Sequence, residues 1–242
     1  MLNSKSATPL YVQLLDELED NILTGLYQPG AQLPAESALA QQYGVSIITV
    51  RTAIGGLSEK GLVERKQGKG TFVKKPKLNR DSSNLGGFSQ NCVSQGLVPG
   101  SRTIACEKVL LDPKTAKSLG TEPGSEGIYF ARVRCADGEP VAIEKTYFSM
   151  DYAFLLEESL EDVSLFEILR TRVHVRVVRS EKNIEVCRAT RQEGLLLNVP
   201  EHTPLLFVKS VTYGENGAPI YTAVQILNAD RFTLRVTQLA GT

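Results

Sequence analysis

The chain has 242 residues, 27 Lys and Arg against 27 Asp and Glu, and a hydrophobic share of 42%. That length holds one or two domains, and the balance of charge and apolar content excludes an intrinsically disordered chain. No run approaches the ~20 apolar residues of a membrane span, and residues 1–9 lack the apolar core of a signal peptide, so a cytoplasmic protein with no membrane partner is expected.

Cys92, Cys106, Cys135 and Cys187 are scattered without a Cys-x-x-Cys pair, and His174 and His202 stand alone. Four free thiols, no metal site and no cofactor are therefore expected. Zero net charge argues against a nucleic-acid partner only until the charge is counted by region. Residues 1–39 carry Lys5 against Asp16, Glu17, Glu19, Asp20 and Glu36, a net of −4. Residues 40–80 carry nine cations against Glu59 and Glu64, a net of +7, and the remainder is −3. A concentrated basic stretch is the footprint of phosphate binding, although on charge alone a solvated surface is the plainer reading.

Leu10, Leu14, Leu15, Leu18, Ile22 and Leu26 recur at helical spacing, with Pro9 placed for the first turn and Gly25 for the end. Gln28-Pro29-Gly30 reads as a turn. A second helix, about 35–43, buries Leu39 and Tyr43 and stops at Gly44. Ser46 then caps a third helix that buries Val50, Ile54 and Leu57 and turns Ile47, Thr49, Arg51 and Thr52 outward, with Gly61 closing it. Two helices joined by a tight glycine turn form a helix-turn-helix whose second member suits the major groove. Residues 62–66 and 71–73 are short β-prone runs around Gln67-Gly68-Lys69-Gly70, a hairpin whose lysine is flanked by glycines and fits a narrow minor groove. Ser46 and Thr49 suit phosphates or base edges, Arg51 suits a phosphate or a guanine, and the Gly68 and Gly70 amides suit phosphates.

Pro29-Gly30, Leu33-Pro34-Ala35-Glu36, Leu39-Ala40, Tyr43-Gly44-Val45-Ser46, Thr49-Val50-Arg51, Leu57, Gly61-Leu62-Val63 and Gly68-Lys69-Gly70-Thr71-Phe72-Val73 together resemble the winged helix-turn-helix of the GntR family of bacterial transcription regulators. The family usually carries DNA-contacting arginines where this chain has Ser37 and Ile47, which implies a modified operator. The DNA-binding set is thus Ser37, Ser46, Ile47, Thr49, Arg51, Thr52, Gly68, Lys69 and Gly70.

The polar run 74–84, with Pro76, reads as a connection between domains. Beyond it, β-rich runs at 103–111, 127–135, 141–148, 173–186, 205–213 and 220–227 alternate with helical patterns at 87–96, 113–119, 164–172 and 189–197. Asp137-Gly138 and Asn216-Gly217 are hairpin turns, so the class is α+β with an antiparallel sheet. The expected domains are 1–75, a linker at 76–85, and 86–242.

Gly87-Phe88-Ser89, Arg132-Val133-Arg134, Asp137-Gly138-Glu139-Pro140-Val141, Ile143-Glu144, Ser164-Leu165-Phe166 and Gly217-Ala218-Pro219-Ile220 resemble the UTRA effector domain of the HutC subfamily. The resemblance implies a chorismate-lyase-like sheet that binds a small ligand, and a homodimer formed mainly through this domain. Arg132 and Arg134 share one face of a strand and suit a phosphate or carboxylate, or else a cross-strand pair with Glu144 or Glu126. The resemblance favours ligand, with Phe88, Ser89, Ser164, Phe166, Glu144 and Tyr221 completing the site. Sugar-phosphate-sensing relatives often carry Glu where this chain has Tyr221. A two-residue loop at Asp137-Gly138 puts Glu144 on the opposite face from the arginines, and a three-residue loop puts it on the same face. The expected function is a repressor on a palindromic double-stranded operator, released by a small anionic effector such as a sugar phosphate or organic acid. The alternative is a lyase-like enzyme, against which stands the lack of any Ser-His-Asp set or cofactor motif.

Overall fold

The computed structural model describes residues 2–3, 6–75, 77–81, 85–158 and 160–237. The chain forms two compact units, Met1–Pro76 and Lys77–Thr242.

The first unit has three helices and a hairpin. Helix α1 (Leu10–Leu23) buries Leu14 and Leu18 completely, α2 (Glu36–Tyr43) buries Leu39, and α3 (Ile47–Glu59) buries Val50, Ala53, Ile54 and Leu57. The stripe on α1 stops short of its expected end, since Leu26 lies beyond the helix and is exposed. Gly44 ends α2 at φ +64° in the left-handed conformation, which costs glycine little. Strands β1 (Val63–Lys66) and β2 (Gly70–Val73) pair antiparallel, Lys66 opposite Gly70. The expected turn at 28–30 leads into a segment that pairs with the hairpin: Gly30 N–H donates to Val73 O (2.9 Å), Val73 N–H to Ala31 O (2.9 Å) and Leu33 N–H to Thr71 O (2.8 Å), so 30–33 brace β2 from outside.

The second unit is built on an antiparallel sheet of order β4-β5-β6-β9-β8-β7. Its strands are β4 (Pro99–Leu110), β5 (Glu126–Ala136), β6 (Glu139–Ser149), β7 (Val177–Arg188), β8 (Pro204–Gly214) and β9 (Pro219–Asn228). Residues 173–176, expected to open the run that became β7, lie outside the strand. Helices α5 (Pro113–Leu119) and α7 (Arg191–Leu197) form small apolar clusters, α7 with Ile143, Leu205 and Ile226 on one face of the sheet. The other face is covered at its two ends. At one end a 3₁₀ segment (Met150–Leu156) and α6 (Leu165–Arg172) pack on Ile128, Phe130 and Phe148. At the other end α4 (Phe88–Val93) lies over Ala142, Val208 and Leu227, together with two strands that pair parallel, β3 (Leu78–Asp81) and β10 (Phe232–Arg235).

Strand β3 corrects the expected linker. Leu78 is fully buried, and the polar run is recruited to the second unit by its pairing with β10. Pro76 and 82–84 of that linker lie outside the described residues.

Candidate functional site

The first candidate surface is the open face of the helix-turn-helix. Ser46 caps α3 as expected, its Oγ accepting the Thr49 N–H at 3.1 Å and lying 2.8 Å from Thr49 Oγ1. Ile47 and Ile48 are exposed, which puts apolar contact rather than charge at the start of the reading helix. Thr52 is turned back, its hydroxyl donating to Ile48 O at 2.9 Å, so its remaining capacity is as an acceptor. Ser37, Ile47, Arg51, Gly68 and Gly70 line a single groove between α2, α3 and the hairpin. Lys69 stands exposed at the tip, its carbonyl receiving Gln32 Nε2 at 2.9 Å. Gly70 sits at φ +115°, and a Cβ there would collide with that Gln32 amide, so only glycine lets the tip be pinned this way.

Arg51 is exposed but not free. Its Nε and Nη2 donate to Glu36 Oε2 at 3.1 and 3.0 Å. Arg65 reaches Glu36 Oε1 at 3.4 Å and the Arg51 carbonyl at 3.3 Å. One carboxylate thus gathers two arginines at the groove. Neither Glu36 nor Arg65 was in the expected set. The helical spacing of α2 carried no mark of this role, because the partner lies 15 residues away.

The second candidate site is a polar cavity on the sheet face between its two covers, roughly 610 Å³ when its solvent-filled mouth is counted and about 40 Å³ within. Every expected effector residue lines it: Phe88, Ser89, Arg132, Arg134, Glu144, Ser164, Phe166 and Tyr221. The loop question resolves in a way neither alternative contained. Ala136 pairs with Glu139, so the turn is the two-residue Asp137-Gly138, but a bulge after Pro140 shifts the register and sets Arg134 opposite Ala142 and Arg132 opposite Glu144. One unpaired residue flips every later side chain of β6, and Glu144 joins the arginines on the cavity face.

The two arginines have different fates. Arg132 donates through Nε to Glu144 Oε2 (2.8 Å) and through Nη1 to Val163 O (3.0 Å). It takes the cross-strand pairing, which corrects the picture of two open guanidinium groups. Arg134 spends Nη2 on Ser89 Oγ (2.9 Å), stacks over Phe88 at 4.5 Å, and leaves Nε and Nη1 buried with no partner among the described residues. Burial, then the charge of Arg132, push it down to about 10, still protonated near neutrality.

Glu144 is fixed from both sides. Burial works to raise it, but Arg132 and Arg134, with bonds from Arg132 and Gln225, hold it down at about 2. Gln225 Nε2 donates to Glu144 Oε1 at 2.7 Å, and Gln225 Oε1 accepts Arg80 Nη1 at 2.8 Å. Burial pushes Tyr221 up to about 12, so it stays a neutral phenol, its ring 5.4 Å from Phe148. Ser164 opens α6, and its hydroxyl caps no amide, leaving it available to a ligand. Phe166 closes over Gly87.

Arg80, Ser180, Lys182, Ser210, Thr212 and Gln225 also line the cavity and were not expected. Arg80 was hidden in the presumed linker. The others follow the two-residue alternation of β7, β8 and β9, a signal readable only once the strand order is known.

Comparison with known proteins agrees with both halves. The model of the bacterial regulatory proteins of the gntR family matches residues 10–73, and that of the UTRA domain matches residues 94–233. The HTH-type transcriptional repressor NagR of Bacillus subtilis is 33% identical over 232 residues, covering 96% of each chain. The probable fructoselysine utilization operon transcriptional repressor of Escherichia coli K12 is 33% identical over 228 residues, 94% of this chain and 93% of that protein. Among solved structures, PhnF from Mycobacterium smegmatis superposes with a TM-score of 0.69 at 27% identity, covering 96% of this chain and all of the other.

Proposed function

This chain belongs to the GntR family of bacterial regulators, in the HutC branch that joins a winged helix to a UTRA domain, and on that footing we propose that it represses an operon until a small anionic metabolite releases it. It is a DNA-binding transcriptional regulator and not an enzyme. No helix among the described residues is long and apolar enough to cross a membrane, and the proposed place of action is the cytoplasm. The repressors NagR and that of the fructoselysine utilization operon support repression of a transport or catabolic operon.

The observation that carries the effector class is Arg134: a buried guanidinium with two unsatisfied nitrogens, lining a polar cavity that opens to solvent. Unpaired buried donors are costly, and a phosphate or carboxylate meets them with charge-assisted bonds. On the DNA side, one winged helix covers one half-site, so the operator-bound form is a homodimer on a palindrome. The residues engaged there are Ser46, Thr49, Arg51 and the Lys69 tip, with Ser37, Ile47 and Thr52 beside them and the Gly68 and Gly70 amides near phosphates. For release, the metabolite has to bind the arrangement that cannot read DNA more tightly than the one that can.

The test is a gel shift on the DNA upstream of the protein's own gene, with and without phosphorylated sugars and acids. A discrete complex dissolved by one of them is expected, and the Arg132→Gln, Arg134→Gln double variant should stay bound in its presence. Equal binding to unrelated DNA, untouched by any metabolite, overturns the reading.

A further inference from the structure

The cavity holds more positive charge than one phosphate calls for. Arg80, Arg132, Arg134 and Lys182 face a single carboxylate, Glu144, among the described residues that line it. Glu144 is already committed to Arg132. The remaining three cations fall into two groups. Arg134 stands with Ser89 on one side. Arg80 and Lys182 stand together on the other, where both also line a small apolar pocket with Ile184 and Val208, and Arg80 lowers the Lys182 ammonium behind the larger effect of desolvation.

The two groups are separated by a polar bar. Arg80 leans on Gln225 at 2.8 Å, Gln225 on Glu144 at 2.7 Å, and Glu144 on Arg132 at 2.8 Å. The backbones say the same. Arg134 belongs to β5 and Lys182 to β7, four ladder spacings apart in the sheet order, which is roughly 19 Å between strands. Neither Arg80 nor Lys182 meets a carboxylate within ion-pair distance among the described residues; Arg80 has only the neutral Gln225. Glu144 acts on Arg80 only across Gln225, and the Lys182 side chain is open to solvent, so the two like charges share no directly bonded carboxylate, and an anion bound between them relieves their repulsion.

We propose that the effector carries two acidic groups: a phosphate on Arg134 and Ser89, and a second acid, most simply a carboxylate, between Arg80 and Lys182. The class is a phosphorylated sugar acid or a comparable phosphate-and-carboxylate metabolite. This rests on the reading of the cavity as the effector site and narrows its ligand. Glu144 and Gln225, lying between the two ends, meet the hydroxyls of the linking chain, and the hydroxyls of Ser180 and Thr212, 3.2 Å apart, stand beside the second acid.

The test uses the full-length protein and calorimetric titration with linear phosphorylated polyols of three, four and six carbons, each paired with the matching phosphorylated aldonic acid: glycerol 3-phosphate with 3-phosphoglycerate, erythritol 4-phosphate with 4-phosphoerythronate, sorbitol 6-phosphate with 6-phosphogluconate. In at least one pair the acid should bind about ten- to a hundredfold tighter than its alcohol, the worth of one charged hydrogen-bonded contact. Arg80→Gln and Lys182→Gln should each lower the acid's affinity more than the alcohol's and so shrink that gap, and Arg80→Lys should retain part of it. Melting temperatures within error of the parent confirm that the variants are folded. The proposal is overturned if no pair shows a gap, or if the gap survives both Gln variants. Arg134→Gln separates the two levels of the argument. If that variant binds every phosphate as the parent does, the cavity reading itself falls; if it loses them all while the acid-over-alcohol gap was absent in the parent, only the second acid falls.

Discussion

The two units hold their cations in opposite ways. On the winged helix, Arg51 keeps 61% of its side chain in solvent and leans on Glu36, which also receives Arg65. In the effector cavity, Arg132 and Arg134 are 4% and 3% exposed, and one of them is left with donors unpaired. An exposed pair in high dielectric is worth little and is readily exchanged for a DNA phosphate. A buried cation lacks that freedom: water cannot screen it, so its partner has to be built in, as for Arg132, or supplied by a ligand, as we propose for Arg134. On the proposed function, the difference separates a surface suited to polyanions at low cost from a cavity suited to choosing among small ones.

The sharpest break in that comparison is Arg132→Gln. It strands Glu144, whose carboxylate is buried and held at about 2 largely by this guanidinium. Removing one member of a buried pair costs about 3–5 kcal/mol, and chemical unfolding followed on the effector unit should show it. The Arg132→Gln, Glu144→Gln double variant should recover most of the loss. The same pair sets the acid limit. Glu144 titrates lower in the folded chain than in the unfolded one, so its contribution is complete above about 4.5 and fades as pH falls towards about 2. A pH-dependent unfolding series should lose stability in that window, and the double variant should lose less.

Its neighbour should behave with the opposite sign. Arg134→Met removes a buried cation with two unpaired nitrogens. In the absence of any anion the variant should be as stable as the parent or more so, by up to roughly 1–3 kcal/mol of relieved desolvation. It should also keep its operator affinity and lose release by metabolites. A fall in melting temperature as large as that of Arg132→Gln would show that Arg134 is a structural residue after all.

The contrast between these arginines was only half legible in the sequence. That Arg132 and Arg134 share a face follows from the two-residue repeat of a strand. That Glu144 faces them depends on a bulge after Pro140, and no local pattern marks which residue of Glu139-Pro140-Val141 goes unpaired. Helices with a cap or a glycine stop were plain: Ser46 and Gly44 do what their chemistry predicts. Strand β3 was not, because one buried residue, Leu78, sits in a polar run and finds its partner Phe232 more than 150 residues on. Arg80 and Lys182 escaped for the same reason, since they share a cavity only because β3, paired with β10, lies over the sheet that carries Lys182.

On the exposed side the effects should be smaller in stability and visible mainly in binding. Arg51→Ala should cost about 1–3 kcal/mol in operator affinity at physiological salt, with unfolding unchanged, because the pair is exposed and Glu36 keeps Arg65 as a partner. Glu36→Gln should go the other way for unspecific DNA: it frees both arginines and removes a negative charge from the groove, so filter binding to random duplex should tighten.

The least effect expected is at Ser46. Its Oγ accepts the Thr49 amide and also meets the Thr49 hydroxyl, so in the free protein it is a cap before it is a DNA contact. Ser46→Ala should therefore cost about 1 kcal/mol of stability in the first unit. Operator affinity reports whether there is a second role. If the hydroxyl only caps, affinity falls no further than the fraying of one helical turn explains, and Ser46→Asp, which caps equally well, restores stability. If it also bonds a phosphate, Ser46→Asp restores stability while weakening operator binding more than Ser46→Ala does, because a carboxylate repels the backbone it replaces a contact to. The pair of variants thus separates, at one oxygen, the work of holding the reading helix from the work of reading.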